Sequence, residues 1–257
     1  MRRRLLAILL SLALPLVAAP AAAQAPAIAA AADLKFALAE LADRFKDATG
    51  REVRVAFGSS GNFTQQIENG APFELFLSAD EAYVERLAAK GLTRDAGALY
   101  AIGRIVLFVP SGSTLEPDPQ LAGLRAALRD GRIKRFAIAN PEHAPYGRAA
   151  REALQQADLW QAIRPVLVLG ENASQATQFA ASGSAQGGIV PLSLARAPEI
   201  ARLGTSALIP ANAHQPLRQR MVLLARASPA AVRLYDYLRS PAGRAILARY
   251  GFALPED

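Results

Sequence analysis

Apolar residues along the chain alternate between the spacing of buried strands and that of amphipathic helices. Residues 27–32 are small or apolar and predict a buried strand. In the next segment Leu34, Leu38, Leu41 and Phe45 recur at intervals of three or four residues, which places them on one face of a helix. The first unit of the chain is therefore predicted to be a strand followed by a helix.

A second strand and helix follow, and two adjacent hydroxyl residues join them. Val53, Val55 and Phe57 alternate as in a half-buried strand, and the polar segment after Ser59 and Ser60 predicts a short helix. Free amides at a helix start can hold an anion without any basic side chain. The two serines therefore predict an anion-binding cradle, with the alternative that one of them only caps the helix.

The same alternation continues to the end of the chain. Further strands are predicted at 73–78, 101–109, 132–139, 165–169, 187–191 and 217–225. Further helices are predicted at 79–90, 121–130, after the turn 140–147, after residue 173, at 228–239 and at 241–250. Alternating strands and helices are typical of an α/β fold with parallel strands, whose carboxyl ends collect loops and helix starts at one edge.

The two long strands at 101–109 and 217–225 predict a two-strand hinge between two lobes. We expect residues 26–103 and 224–257 to form the first lobe and residues 104–223 to form the second. The N-terminus precedes both lobes and has the pattern of a secretory signal peptide over residues 1–23: three arginines, an apolar stretch broken by proline, and three alanines before Gln24. We therefore expect export to the periplasm.

Charge and composition narrow the possible functions. Removal of the three leader arginines lowers the 29 basic residues to 26 against 22 acidic ones, a net charge of about +4. The basic residues form no run of five and are not interleaved with aromatic residues, which argues against nucleic-acid binding. The sequence contains no cysteine, so disulfides, thiol catalysis and cysteine-ligated metal sites are excluded.

Enzyme chemistry finds little support in the residue spacing. His143 and His214 are the two histidines of the sequence, and no spacing predicts a Ser-His-Asp arrangement or a metal site, so His143 is interpreted as bracing its turn. The segment around Ser59 lacks the lysine of a phosphate-binding loop. We expect no enzyme activity, metal or cofactor. The competing hypothesis is an enzyme that uses Ser60 or Asp33 on a phosphorylated small molecule.

Five segments together resemble one known family, the periplasmic molybdate-binding proteins of ABC transporters. The segments are 31–34 (AADL), 57–67 (FGSSGNFTQQI), 70–80 (GAPFELFLSAD), 141–147 (PEHAPYG) and 188–190 (GIV). The resemblance covers nearly the whole chain after the leader. It implies a type II periplasmic binding-protein fold, in which each lobe is a mostly parallel sheet flanked by helices and the two lobes close on a tetrahedral oxyanion.

The resemblance also implies where the oxyanion would bind. In the first lobe it points to Ser59, Ser60 and the position after the first strand, Asp33. In the second lobe it points to Tyr146 and to the amide of Ala173. The residue before that amide is Asn172, and the family's hinge-side aromatic corresponds to Pro191, which has neither a hydroxyl nor an amide hydrogen.

Asp33 departs from the family, which usually has serine at this position. An ionised carboxylate donates no hydrogen bond. At about 4 Å and an effective dielectric near 20 it would repel a dianion by about 8 kcal/mol. Three alternatives remain open: Asp33 turns away as a helix N-cap, Lys35 neutralises it, or the ligand carries a proton that Asp33 accepts.

The function implied by the resemblance is transport. The protein would capture molybdate or tungstate and deliver it, as a monomer, to a membrane permease. A different, protonated oxyanion and a sensor role are the alternatives.

Overall fold

The computed structural model describes residues 25–255, and the predicted signal peptide lies outside this range. The first part of the chain contains β1 (Ala27–Ala31), a 3-10 turn (Ala32–Leu34), α1 (Lys35–Thr49), β2 (Arg54–Gly58), α2 (Ser60–Glu68), β3 (Leu75–Ser78), α3 (Glu81–Ala89) and β4 (Ala98–Gly103). The second part contains β5 (Ile105–Pro110), α4 (Ala122–Arg129), β6 (Phe136–Ala139), α5 (Pro145–Gln156), α6 (Trp160–Ile163), β7 (Leu167–Gly170), α7 (Ala173–Ala181), β8 (Gly187–Pro191), α8 (Leu192–Ala195), α9 (Pro198–Ala201) and β9 (Gly204–Leu208). The last part contains a 3-10 turn (Ala211–Ala213), β10 (Leu217–Leu223), α10 (Pro229–Arg239) and α11 (Pro241–Arg249).

These elements form two five-stranded sheets with the same topology. The first sheet has the order β2-β1-β3-β10-β4, with β1 parallel to β2 and β3 and with β10 antiparallel to β3 and β4. The second has the order β7-β6-β8-β5-β9, with β6 parallel to β7 and β8 and with β5 antiparallel to β8 and β9. One strand in each sheet therefore runs against the others. The predicted two-lobe α/β architecture with mostly parallel sheets is confirmed.

Each lobe has its own apolar core. Leu34, Leu38, Leu41 and Phe45 are fully buried under the first sheet, together with residues from α10 and α11. A second core surrounds β5, β6 and α5. Burial of apolar side chains on one face of each helix is the main force that holds helices on these sheets. Within residues 25–255 no helix combines the length and apolar character needed to cross a membrane.

The chain crosses between the lobes at two adjacent places. Arg104 is the single residue between β4 in the first sheet and β5 in the second. The return crossing runs from Ile209 to the start of β10, where the amide of Ile209 donates to the carbonyl of Ile105 at 3.1 Å and Leu217 pairs with Gly103. The predicted long strand at 101–109 is therefore two strands that belong to different sheets.

The expected lobe boundary at residue 224 is wrong by one strand. The strand predicted at 217–225 is β10, and β10 pairs with β3 and β4 in the first sheet. The chain has already returned from the second lobe before Leu217, because the crossing lies in the connection after β9. We propose that the second lobe spans about residues 105–209.

Candidate functional site

A small cavity lies between the two lobes, at the carboxyl ends of β1, β2 and β3. The cavity has a volume of about 10 Å³, enough for roughly one water molecule. The cavity is lined by Ala31, Ala32, Asp33, Gly58, Ser59, Ser60, Ala79, Ala144, Pro145, Tyr146 and Ala173. In an α/β sheet this edge is where ligands bind, because loops and helix starts meet there.

Three helices begin at the cavity. Ser60 is the first residue of α2, Ala173 is the first residue of α7, and Tyr146 lies in the first turn of α5. Amides in the first turn of a helix have no acceptor within the helix, and the helix dipole places partial positive charge there. The cavity therefore has donors suited to an anion, and none of its lining residues is a lysine or an arginine.

The two serines differ in their contacts. Ser59 is the N-cap of α2, and its hydroxyl accepts from the amide of Asn62 at 3.4 Å. Ser60 is completely buried, and its hydroxyl accepts from the amide of Ala79 at 3.0 Å. A hydroxyl that accepts one hydrogen bond can still donate its own proton. Ser60 can therefore donate to a ligand while it holds the end of β3 in place.

Asp33 lies in the 3-10 turn after β1 and is 1% exposed. Its Oδ2 atom accepts from Nε2 of Gln219 at 2.7 Å, whereas its Oδ1 atom is buried without a hydrogen-bond partner. Burial raises the pKa of this carboxyl to about 6, and the polar groups of Gln219 and Tyr146 oppose the shift. The hypothesis that Asp33 caps a helix is wrong, because α1 begins at Lys35 and Leu34 occupies the N-cap position without a side-chain bond.

Gln219 joins the two lobes beneath the cavity. Its Nε2 atom also donates to the hydroxyl of Tyr146 at 3.0 Å, and its Oε1 atom accepts from the hydroxyl of Tyr100 at 2.7 Å. Burial raises the pKa of both tyrosines well above 10, so their hydroxyls stay protonated. The sequence prediction missed Gln219. The sequence does indicate that Gln219 is buried, since it alternates with the apolar residues Leu217 and Met221 on the buried face of β10.

Hydrogen bonds across the cavity rim hold the lobes together. The amide of Gly61 donates to the carbonyl of His143 at 3.0 Å, and Nδ2 of Asn62 donates to Oε1 of Glu171 at 2.8 Å. Nδ1 of His143 lies 3.0 Å from the hydroxyl of Ser59. These contacts join α2 of the first lobe to loops of the second, so the structure describes the closed arrangement of the lobes. The convergence of His143 and Ser59 was not predicted from the spacing.

Three of the sequence-predicted site residues lie outside the cavity lining. Lys35 places its amino group 5.6 Å from the centre of the Phe36 ring and forms no ion pair with Asp33 among the contacts of the described residues. Asn172 caps α7 by accepting from the amide of Gln175 at 3.1 Å. Pro191 ends β8 and pairs with Ile105. The neutralisation of Asp33 by Lys35 is therefore not found.

The remaining predicted residues come together. Asp33, Ser59, Ser60, Tyr146 and Ala173 all line the cavity, although they are distant in the sequence. Tyr146 was predicted in a turn and instead lies in the first turn of α5, because Pro145 suits the first position of a helix.

Comparison with known proteins identifies relatives over almost the whole chain. Residues 27–253 match the family model described as bacterial extracellular solute-binding protein. The molybdate-binding protein ModA of Azotobacter vinelandii is 35% identical over 242 residues, 93% of this chain and 94% of the relative. ModA of Rhodobacter capsulatus is 36% identical over 239 residues, 92% of this chain and 91% of the relative.

Solved structures agree with this assignment. The periplasmic molybdate-binding protein of Azotobacter vinelandii superposes with a TM-score of 0.81 at 29% identity, covering 90% of this chain and 100% of that structure. The sulfate-binding protein SubI of Mycobacterium tuberculosis has the same fold, with a TM-score of 0.73 at 17% identity over 90% of this chain and 87% of that one. From the family match, the relatives and the shared fold, this chain belongs to the bacterial extracellular solute-binding proteins.

Proposed function

We propose that this protein captures a tetrahedral oxyanion, molybdate or tungstate, between its two lobes in the periplasm and delivers it to the permease of an ABC transporter. The observation that carries the proposal is the convergence of three helix starts and two buried serines on one small cavity. The names of the relatives support the choice of ligand, since those more than 30% identical over most of the chain include molybdate-binding proteins.

The fixed dipoles around the cavity would replace the water that an oxyanion loses on binding. The hydroxyl of Ser60 and the first-turn amides of α2, α5 and α7 would each donate to one oxygen of the anion. Donors held in place by helices cost little further ordering when the ligand binds. A cavity this small excludes an extended organic solute, and donors that approach from several sides suit a compact ion with four equivalent oxygens.

Closure of the lobes would couple binding to transport. Donors come from α2 in the first lobe and from α5 and α7 in the second, so an anion bound to all of them favours the closed arrangement. The hinge at Arg104 and Ile209 allows this movement without any change inside either sheet. A permease that contacts both lobes would then distinguish the loaded protein from the empty one.

The test is the thermal midpoint of the ligand-stripped mature protein with molybdate, tungstate, sulfate, phosphate, arsenate or chromate. An anion at one hundred times its Kd stabilises the folded state by about 2.7 kcal/mol, which raises Tm by several degrees. We expect molybdate and tungstate to raise Tm. No shift with any of the six anions over a wide pH range would overturn the proposal.

A further inference from the structure

Two of the residues that line the cavity can titrate, Asp33 and Tyr146, and Asp33 is the one with a carboxyl group. Its side chain is buried, and Oδ1 has no hydrogen-bond partner. A buried carboxylate oxygen without a donor is costly, because it has lost its hydration and gained nothing in exchange. A cavity built for an anion therefore contains an acceptor that would itself repel an anion.

Among residues 25–255, no group next to Asp33 supplies a positive charge to cancel this repulsion. The titratable groups that act on Asp33 are the phenols of Tyr100 on β4 and Tyr146 on α5, both of which stay neutral. Lys35 on α1 faces Phe36. The other elements packed around Asp33 contribute neutral groups: Gln219 on β10, Ser193 on α8, Ser59 and Ser60 on α2, Ala79 after β3 and Ala173 on α7.

The orientation of the carboxyl group is set by Gln219. The pairing register of β10 with β4 shifts between Gln219 and Arg220, and such a bulge re-aims a side chain. Nε2 of Gln219 bonds Oδ2 of Asp33, and Ser193 donates to the backbone carbonyl of Asp33 at 2.8 Å. These two bonds leave Oδ1 as the carboxyl atom available to a ligand.

Two acceptor oxygens, Oδ1 of Asp33 and an oxygen of the anion, can be neighbours only if a proton lies between them. We propose that the site binds its oxyanion together with one proton, held between Oδ1 of Asp33 and an oxygen of the anion. This inference rests on the proposed function and specifies the protonation state of the complex. Asp33 is then a specificity-determining residue, and Gln219 is the residue that positions it.

The proposal makes affinity depend on pH in a defined direction. Molybdate and tungstate carry no proton at neutral pH, so the complex must take one from solvent. In the ligand-free protein the buried carboxyl of Asp33 has a pKa of about 6, so it is mostly ionised at pH 7.5 and must take up a proton when the anion binds. The Kd for these dianions should therefore increase by roughly tenfold per pH unit between pH 7 and pH 8.5.

The experiment is isothermal titration of the mature protein with molybdate at pH 7.5 in two buffers of different ionisation enthalpy, which gives the number of protons taken up. We expect close to one proton per molybdate for the wild type. Asp33→Asn, whose amide can donate to the anion without titrating, should bind with almost no proton uptake and with a Kd that no longer varies with pH. Asp130→Asn removes an exposed carboxylate that is not part of the cavity lining and should behave as the wild type.

The outcomes separate the proposal of a shared proton from the proposed function of oxyanion capture. Binding of molybdate by the wild type without proton uptake overturns the shared proton and leaves the proposed function intact. Uptake that persists in Asp33→Asn assigns the proton to another group and also overturns it. If Asp33→Asn does not fold, Asp33→Ser is measured instead, with the same expectation. Absence of molybdate and tungstate binding to the wild type at every pH from 6 to 8.5 overturns the proposed function, and the proton proposal with it.

Discussion

The Gly61→Ala substitution should separate folding stability from ligand affinity. Gly61 lies in the first turn of α2, where the two lobes approach closely beside the cavity. A Cβ atom on this residue would lie 2.7 Å from the carbonyl oxygen and 3.0 Å from the Cβ atom of His143 in the other lobe. The first distance is shorter than real contacts of a Cβ atom. The substituted protein can therefore reach the closed arrangement only if this part of the interface opens.

The expected loss of affinity follows from the contacts between the lobes that the opening would break. Moving the lobes apart by about half an ångström stretches the 3.0 Å bond from the amide of Gly61 to His143 beyond useful length. One such bond contributes about 0.5–1.5 kcal/mol, and the adjacent contact between Ser59 and His143 would weaken as well. A loss of about 1–3 kcal/mol corresponds to a Kd weaker by roughly 5- to 150-fold.

Folding of the empty protein should not suffer. Alanine is a better helix former than glycine by up to about 1 kcal/mol, and in an open arrangement the new methyl group meets no other lobe. We therefore expect an unchanged or slightly higher Tm without ligand. Weaker molybdate binding together with an unchanged Tm of the ligand-free protein distinguishes a defect in lobe closure from general damage to the fold.

The assay is titration calorimetry with molybdate, together with the Tm of the ligand-free protein. Gln66→Ala on the exposed side of the same helix is the matched control and should leave both values near those of the wild type. A Gly61→Ala variant that binds molybdate within twofold of the wild type would refute the closure argument.

Two further predictions concern groups that line the cavity. Ser60→Ala leaves the buried amide of Ala79 without its acceptor, so we expect the free energy of unfolding to fall by about 1–3 kcal/mol and molybdate binding to weaken. Ser182→Ala, at an exposed serine, is the control for both the unfolding and the binding measurement. For Asp33, burial raises the folded-state pKa from 3.8 to about 6, so its contribution to stability is fully present below about pH 4 and is lost as the pH rises through 6, by about 3 kcal/mol in total. Asp33→Asn should therefore raise the Tm of the ligand-free protein more at pH 7.5 than at pH 4, and an equal change at both values would contradict the assigned pKa.

Local patterns in the sequence were sufficient for most of the secondary structure. The predicted face of Leu34, Leu38, Leu41 and Phe45 is fully buried, with Leu34 at the N-cap of α1 and the other three inside it, and the strand predicted at 187–191 is β8. These elements depend on the spacing of apolar residues over about ten positions, and the amino-acid sequence contains that information. Where an element was misplaced, as for the helix start at Pro145, the difference was a few residues.

Residues separated by long stretches of sequence were harder to relate to one another. The resemblance to a known family is what points to Ser59, Ser60, Tyr146 and Ala173, and these residues line one cavity. Gln219 was not selected, because a single glutamine in a strand gives no sign of which distant carboxyl group it contacts. The contact of His143 with Ser59 likewise joins residues of different lobes.

The sequence alone therefore indicated most of the strands and helices, the existence of two lobes and a set of anion-binding candidates, because these follow from local spacing and from motifs. Only the tertiary structure decided that β10 belongs to the first sheet, that Lys35 lies outside the cavity lining and that Asp33 is buried with one unpaired oxygen. The physical reason is that strand pairing, burial and the pKa of a carboxyl depend on which distant groups surround a residue. Those neighbours are set by the packing of the two lobes across the hinge.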